Sequence, residues 1–166
     1  MRFLRVLMLC GFLVGAIVSQ AIAMGDVGFV QDTLIGRQAA DFTLTTIKGE
    51  KFNFWQYRGG KKAIILFWTT WCPHCRVALK QLSVVRKEIE AKGIALVIVS
   101  IGEARGSVAD YLANHQYDFD VVLDQAGTLN APYQIIGVPS LIYVGANGAI
   151  KSVDHSFSEQ FEENFK

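Results

Sequence analysis

Two cysteines separated by two residues, in Trp71-Cys72-Pro73-His74-Cys75, could carry out redox chemistry. Thiols at this spacing can pass between dithiol and disulfide without unfolding the chain around them. The attacking form is the thiolate, whereas a free thiol has a pKa of about 8.5. A helix that begins at Cys72 would favour the thiolate, because unpaired N–H groups of its first turn point at that sulfur. Pro73 suits the first helical position, and His74 adds a cationic or hydrogen-bonding neighbour.

The third cysteine, Cys10, lies in an N-terminal segment that we expect the mature protein to lack. The mature chain then has one CxxC pair and no structural disulfide, which favours a working redox site. A zinc site would need two further ligands at metal spacing, but His115 and His155 are isolated in the sequence. We therefore predict no metal and no cofactor beyond the Cys72–Cys75 disulfide itself.

The first 23 residues have the pattern of an export signal. Arg2 and Arg5 precede an uncharged apolar run over 6–18, and Ala21-Ile22-Ala23 supplies a small-x-small cleavage pattern. The sequence predicts a signal peptide over 1–23 or, if it is not cleaved, a membrane anchor. Either would place the protein in the periplasm or cell envelope, where disulfides persist.

Charge and length describe an ordinary single domain. The chain has 16 Lys and Arg against 15 Asp and Glu. Two of the basic residues belong to the export signal, which leaves 14 basic against 15 acidic residues in the mature chain. This balance predicts no basic surface for nucleic acid. We predict a connector over 24–38 and one domain over 39–166.

Hydrophobic patterns predict strands that alternate with helices. Strands are expected at 41–46, 51–54, 63–69, 94–101, 119–123, 141–144 and 149–153. The run AIILFWT at 63–69 is typical of a strand buried on both faces of a sheet. Apolar residues at helical spacing after Cys75 predict a helix that ends at Gly93. Ser107 with Asp110 predicts the start of a second helix. These elements indicate an α/β fold with a central mixed sheet flanked by helices.

The segment FWTTWCPHC, the later Gly137-Val138-Pro139-Ser140 and the hairpin LIYVGANGAIKSV resemble the thioredoxin fold. The resemblance is specifically to the TlpA/ResA-like thiol-disulfide oxidoreductases of the redoxin (AhpC/TSA-related) superfamily, and it covers about residues 34–155. An N-terminal hairpin and an inserted strand-helix segment at 102–124 are typical of that subfamily. The resemblance implies an enzyme that exchanges disulfides with protein substrates and is recycled by a membrane redox partner.

The resemblance also implies roles for individual residues. Cys72 matches the attacking thiol and Cys75 the resolving thiol. Pro139 matches a cis-proline that faces the disulfide, and Val138 would offer its N–H and C=O to a substrate chain, as in strand addition. Trp71 would pack beside the site and contact substrate.

Some positions depart from the family pattern. Leu66 stands where thioredoxin has a buried acid, and Ala78 stands where ResA-like proteins often have Glu. Glu103 falls where those proteins place another acid, so it is a candidate proton carrier or redox-tuning group, the alternative being a solvated loop carboxylate. Pro73-His74 matches the dipeptide of DsbA-like oxidants, which predicts a more oxidising disulfide than in thioredoxin.

Two other functions stay open. Thr69-x-x-Cys72 matches part of a peroxidatic motif, which would suit a thiol peroxidase, although Ile65 stands where that motif has proline. A copper metallochaperone could use Cys72 and Cys75 as ligands. His155 lies in a string similar to the copper-binding segment of Sco proteins, but CxxC rather than CxxxC spacing favours a coincidental likeness.

Overall fold

The computed structural model describes residues 33–166, so the predicted signal at 1–23 and most of the connector lie outside the described residues. Seven strands form one sheet in the order β2-β1-β5-β4-β3-β6-β7. The strands are β1 Thr43–Thr46, β2 Lys51–Asn53, β3 Ala63–Trp68, β4 Ala95–Ile101, β5 Val121–Asp124, β6 Ser140–Val144 and β7 Ile150–Asp154. The helices are α1 Phe54–Arg58, α2 Pro73–Ala91 and α3 Arg105–Asn114, followed by a 3₁₀ helix at Phe161–Phe165. None of these helices is long and apolar enough to cross a membrane.

Strand β3 lies in the interior of the sheet, between β4 and β6, and is buried at every residue, as its apolar run predicts. It pairs in parallel with β4 and antiparallel with β6, which makes the sheet mixed. Side chains of a strand alternate between the two faces of the sheet, so β3 contributes to two cores. Ile64, Leu66 and Trp68 pack on the side of α2 and α3, while Ile65 and Phe67 pack on the other side.

Helix α2 confirms the prediction made from the apolar spacing after the cysteines. Its inner face buries Cys75, Ala78, Leu79, Leu82 and Ile89. Gly93 follows the helix with a φ of 68°, a conformation that glycine adopts without a steric penalty. The predicted end of the helix at Gly93 is therefore correct within the usual variation of a residue or two.

Two predicted element boundaries are wrong. Phe54 does not continue β2 but begins α1, because the Asn53 side chain accepts the N–H of Gln56 and caps the new helix. The predicted start of α3 at Ser107 is also wrong. The helix begins at Arg105, whose guanidinium donates to the Ile47 carbonyl oxygen at 2.6 Å. A contact distant in sequence, rather than a local capping box, accompanies that start.

A buried arginine, Arg58, hydrogen-bonds the turns at the end of the sheet where β3 begins. Arg58 is 1% exposed, and its guanidinium donates to the carbonyl oxygens of Lys61 at 3.1 Å, Gly145 at 3.0 Å and Ala146 at 2.7 Å. The guanidinium also lies over the Trp55 ring, 4.6 Å from its centroid. Burial lowers the pKa of Arg58. Arg58 therefore ties α1 to the turn between β6 and β7.

The first described residues pack at the same end of the sheet. Leu34 is buried, the Gly36 N–H donates to the Ile150 carbonyl, and the Ile150 N–H donates to the Arg37 carbonyl, both at 2.8 Å. Gln38 forms an isolated bridge with Ala149. The end of the region that we interpreted as a connector thus packs along the start of β7.

Candidate active site

The two cysteines lie at the other end of β3 and form a disulfide, with their Cα atoms 5.2 Å apart. Cys72 is the N-cap of α2 with extended backbone angles (φ −83°, ψ 113°), and Pro73 takes the first helical position. The Cys75 N–H points at the Cys72 sulfur at 3.2 Å. Cys75 is fully buried, whereas Cys72 keeps 4% of its surface exposed. Cys72 is thus the sulfur that a partner can reach.

This geometry favours a thiolate on Cys72 when the disulfide is reduced. An N–H directed at the sulfur stabilises a negative charge there, as does the positive end of the helix dipole. The first turn of α2 contains no acidic residue that would oppose this effect. The reduced Cys72 is therefore a nucleophile of the kind that thiol-disulfide exchange requires.

The loop that faces the disulfide contains the Val138-Pro139 peptide bond, which is cis, as predicted from the family resemblance. The Val138 carbonyl oxygen lies 3.4 Å from the Cys72 sulfur. A Cys72 thiol can donate to this oxygen, whereas a thiolate would be repelled by it. The Val138 carbonyl therefore opposes the effect of the Cys75 N–H.

The carbonyls on either side of Val138 are also engaged. The Ser140 hydroxyl donates to the Gly137 carbonyl at 2.8 Å. The His155 Nδ1 atom lies 2.8 Å from the Pro139 carbonyl oxygen. The carbonyls of Gly137 and Pro139 are thus held by side chains, while that of Val138 faces the Cys72 sulfur.

Glu103 acts on the segment that leads into Cys72. Its carboxylate accepts the Thr70 N–H at 2.9 Å, the Thr70 hydroxyl at 2.5 Å and the Ser100 hydroxyl at 3.0 Å. Arg76 donates to the Thr70 carbonyl at 3.2 Å. All three polar groups of Thr70 are therefore bonded to residues of other segments. Glu103 is half-buried and hydrogen-bonded rather than a solvated loop carboxylate.

Large apolar side chains remain exposed around the disulfide. Trp71 is 68% exposed and Ile136 is 75% exposed. A cavity of about 440 Å³ lies between them, and a second of about 500 Å³ is lined by His74, Pro139 and His155. Trp68 is by contrast fully buried. Exposed apolar surface next to a reactive group is typical of a site that binds another protein.

The structure brings every predicted site residue to this end of the sheet. It adds four that the sequence patterns do not single out for this purpose, namely Thr70, Ser100, Arg76 and His155. Only His155 carried a signal, its likeness to a metal-binding string, and that signal pointed to a different role. The other three are recognisable only from the hydrogen bonds that the fold creates.

A model of the AhpC/TSA family matches residues 35–153. The chain belongs to the AhpC/TSA family. It is 32% identical over 121 residues to the Thioredoxin-like protein YneN of Bacillus subtilis, covering 71% of this chain and 69% of that protein. It is 27% identical over 119 residues to the Thiol-disulfide oxidoreductase ResA of Geobacillus kaustophilus, covering 72% and 68%. The crystal structure of StoA from Bacillus subtilis superposes with a TM-score of 0.66 at 28% identity, covering 77% and 98%.

These matches confirm the α/β thioredoxin-like fold and the resemblance to TlpA/ResA-like proteins. Together with the Cys72–Cys75 disulfide, they identify this member of the AhpC/TSA family as a thiol-disulfide oxidoreductase that acts on protein thiols. The names of its relatives favour disulfide exchange over the peroxidase and copper-chaperone alternatives.

Proposed function

We propose that this protein exchanges disulfides with protein substrates in the periplasm or cell envelope, with Cys72 as the attacking and Cys75 as the resolving sulfur. The observation that carries the assignment is the asymmetry between the two sulfurs. Cys72 has an N–H directed at its sulfur and keeps 4% of its surface accessible, while Cys75 is fully buried. A buried sulfur is protected from substrate but is placed to attack its neighbour.

When the protein acts as a reductant, the exchange proceeds in two steps, each an attack of a thiolate on a disulfide sulfur. The Cys72 thiolate attacks one sulfur of the substrate disulfide, and the other substrate sulfur leaves as a thiolate. Cys75 then loses its proton and attacks the Cys72 sulfur of the mixed disulfide, which releases the second substrate thiolate. The substrate gains two electrons and the protein ends as the Cys72–Cys75 disulfide. The reverse sequence oxidises a substrate dithiol.

The substrate chain binds beside Trp71 and against the loop that holds Val138 and Pro139. The Val138 carbonyl is turned toward Cys72, so we expect the Val138 N–H to pair with the substrate backbone. Glu103 tunes the site from the other side, because its negative charge lies next to the residues that precede Cys72. Pro73 and His74 favour the thiolate and hence a more oxidising potential.

Export rests on the N-terminal sequence pattern, with either cleavage after residue 23 or retention as an anchor. A membrane redox partner then recycles the disulfide, since the protein holds no other electron carrier in this proposal. No metal or bound cofactor takes part.

Trapping of covalent complexes tests the assignment of the two sulfurs. Cys75→Ser should accumulate mixed disulfides between Cys72 and substrate proteins, because the resolving step is lost. Cys72→Ser should trap none, since Cys75 is buried. Complexes are separated on non-reducing gels after acid quenching. Equal trapping by both variants would contradict the assignment.

A further inference from the structure

The loop at 136–138 borders two cavities, of which only one is lined by histidines. One, of about 440 Å³, is bordered by the exposed rings and side chains of Trp71 and Ile136, together with Ile101 and Ile135. Its wall is mostly apolar. An apolar side chain of a bound segment would be removed from water there, which is favourable in proportion to the area buried.

The other cavity, of about 500 Å³, is also mostly apolar, because the loop at 136–139 forms most of its wall, but two histidines line it as well. His74 comes from the first turn of α2, and His155 follows the end of β7. The sequence separates them by 80 residues, and the fold brings them to the same cavity on either side of Pro139. Within residues 33–166, neither cavity has an Asp or Glu among its lining residues.

His155 holds the loop and contributes to the wall at the same time. Because the Pro139 oxygen can only accept, Nδ1 of His155 is the protonated nitrogen in this contact. The Nδ1–H of His155 therefore holds the loop beside Cys72, while the ring forms part of the cavity wall.

Two positive groups lie near the disulfide. The positive end of the α2 dipole faces the site, and Arg76 lies exposed next to Cys75. The nearby acids are Glu103, whose oxygens accept hydrogen bonds from Thr70 and Ser100, and Asp154, which accepts one from the Ser152 hydroxyl. A substrate carboxylate would thus meet donors and positive potential, while a substrate lysine would meet only carboxylates that already accept hydrogen bonds.

We propose that the two cavities select substrates by the residues that flank the reacting cysteine: an apolar residue on the Trp71 side and an acidic residue on the histidine side. The ligand is an extended segment of a partner protein with this pattern. His74 and His155 determine the acidic preference, and His155 is in addition a positioning residue for the Pro139 loop. The proposal rests on the disulfide exchange proposed above.

Four synthetic peptides test the selection. Each carries one cysteine in a mixed disulfide with 2-nitro-5-thiobenzoate, and its flanking residues combine Leu or Ser with Glu or Lys. Attack of the Cys72 thiolate on the peptide sulfur releases the coloured thiolate, so the second-order rate constant is read directly. We expect Glu to be preferred over Lys by about fivefold, the upper range for an exposed ion pair. Leu should be preferred over Ser by about tenfold, as partial burial of a leucine implies.

Variants of the lining residues show which cavity gives rise to the preference for Glu and which to the preference for Leu. The double variant His74→Gln with His155→Gln should abolish the preference for Glu and retain that for Leu. Trp71→Ala should abolish the preference for Leu and retain that for Glu. His115→Gln is the matched control, because His115 is exposed at the far end of α3 and lines neither cavity. His155→Ala should slow all four peptides, whereas His155→Gln, whose amide can still donate to Pro139, should restore the rate of the Leu and Lys peptide.

The outcomes separate the selection from the exchange chemistry. Equal rates for all four peptides, with exchange intact, overturn the proposed selection and leave disulfide exchange standing. A Glu preference that survives the double histidine variant overturns the role of the histidines. If the reduced protein reacts neither with any of the peptides nor with small disulfides such as oxidised dithiothreitol, the proposed disulfide exchange itself is contradicted.

Discussion

Near each end of the interior strand β3 lies one charged side chain whose hydrogen-bond partners are all neutral groups. At the start of the strand, Arg58 donates to three backbone carbonyls, and no ion pair within residues 33–166 includes it. Beyond its end, Glu103 accepts from one backbone N–H and two hydroxyls. The same physical device thus occurs with opposite charge at the two ends.

The surroundings give these two charges different consequences. Arg58 is 1% exposed and its partners belong to turns at the end of the sheet, so its loss leaves the partly buried carbonyls of Lys61 and Ala146 without this donor. Glu103 is half-buried, and its partner Thr70 lies two residues before Cys72. A charge in that position acts on the sulfur through space. A charge surrounded by neutral hydrogen-bond partners therefore stabilises the fold at the Arg58 end of β3 and adjusts the chemistry of Cys72 at the Glu103 end.

Replacement of Arg58 should have the largest effect, and only on stability. Arg58→Met keeps much of the packing but leaves the carbonyls of Lys61 and Ala146 without this donor, while the Gly145 carbonyl still accepts the Gly148 N–H, so we expect the free energy of unfolding to fall by about 2–4 kcal/mol. The reduction potential should not change. Urea unfolding measures the first and glutathione equilibration the second. Arg37→Met, at an exposed arginine, is the control, and an equal loss in both variants would remove the distinction.

Replacement of Glu103 should act on the chemistry instead. Glu103→Gln removes a negative charge near Cys72, which favours the thiolate and hence the dithiol form. We expect the reduction potential to rise by about 30 mV, equivalent to about 1.4 kcal/mol. The glutathione equilibrium reports the shift, with Glu50→Gln at an exposed turn as control. A fall in the potential would show that Glu103 acts through the position of Thr70 rather than through its charge.

His74→Gln should give a smaller shift of the opposite sign. The exposed imidazole favours the Cys72 thiolate, so its loss should raise the pKa of Cys72 and lower the potential by about 10 mV, since solvent screens an exposed charge. Thiolate absorbance at 240 nm against pH measures the pKa. Lys80→Gln, further along α2, controls for a change in overall charge. An unchanged titration would exclude His74 from tuning.

Features that depend on local pattern were predictable from the sequence. The apolar run of β3, the helical spacing after Cys75 and the glycine at the end of α2 all follow from residues close together in the chain. The CxxC pair indicates the site itself, whereas Val138 and Pro139 were assigned to it from the family resemblance. Each of these signals has a physical cause that operates within about one element length.

Features that depend on distant contacts were not predictable. The start of α3 accompanies a hydrogen bond between Arg105 and Ile47, and the position of Thr70 depends on Glu103. His155 reaches the site because β7 pairs with β6, which begins after Pro139. No local pattern records which loops meet at the end of a sheet, so these residues emerge only once the strand order is known.

Residues 36–38 hydrogen-bond along the start of β7, at the pole marked by Arg58, whereas the cysteines lie beyond the opposite end of β3. Six residues of strand separate the two poles by about 20 Å. Residues 36–38 therefore lie far from Cys72, and a substrate chain that approaches the sulfur beside Trp71 does not meet them.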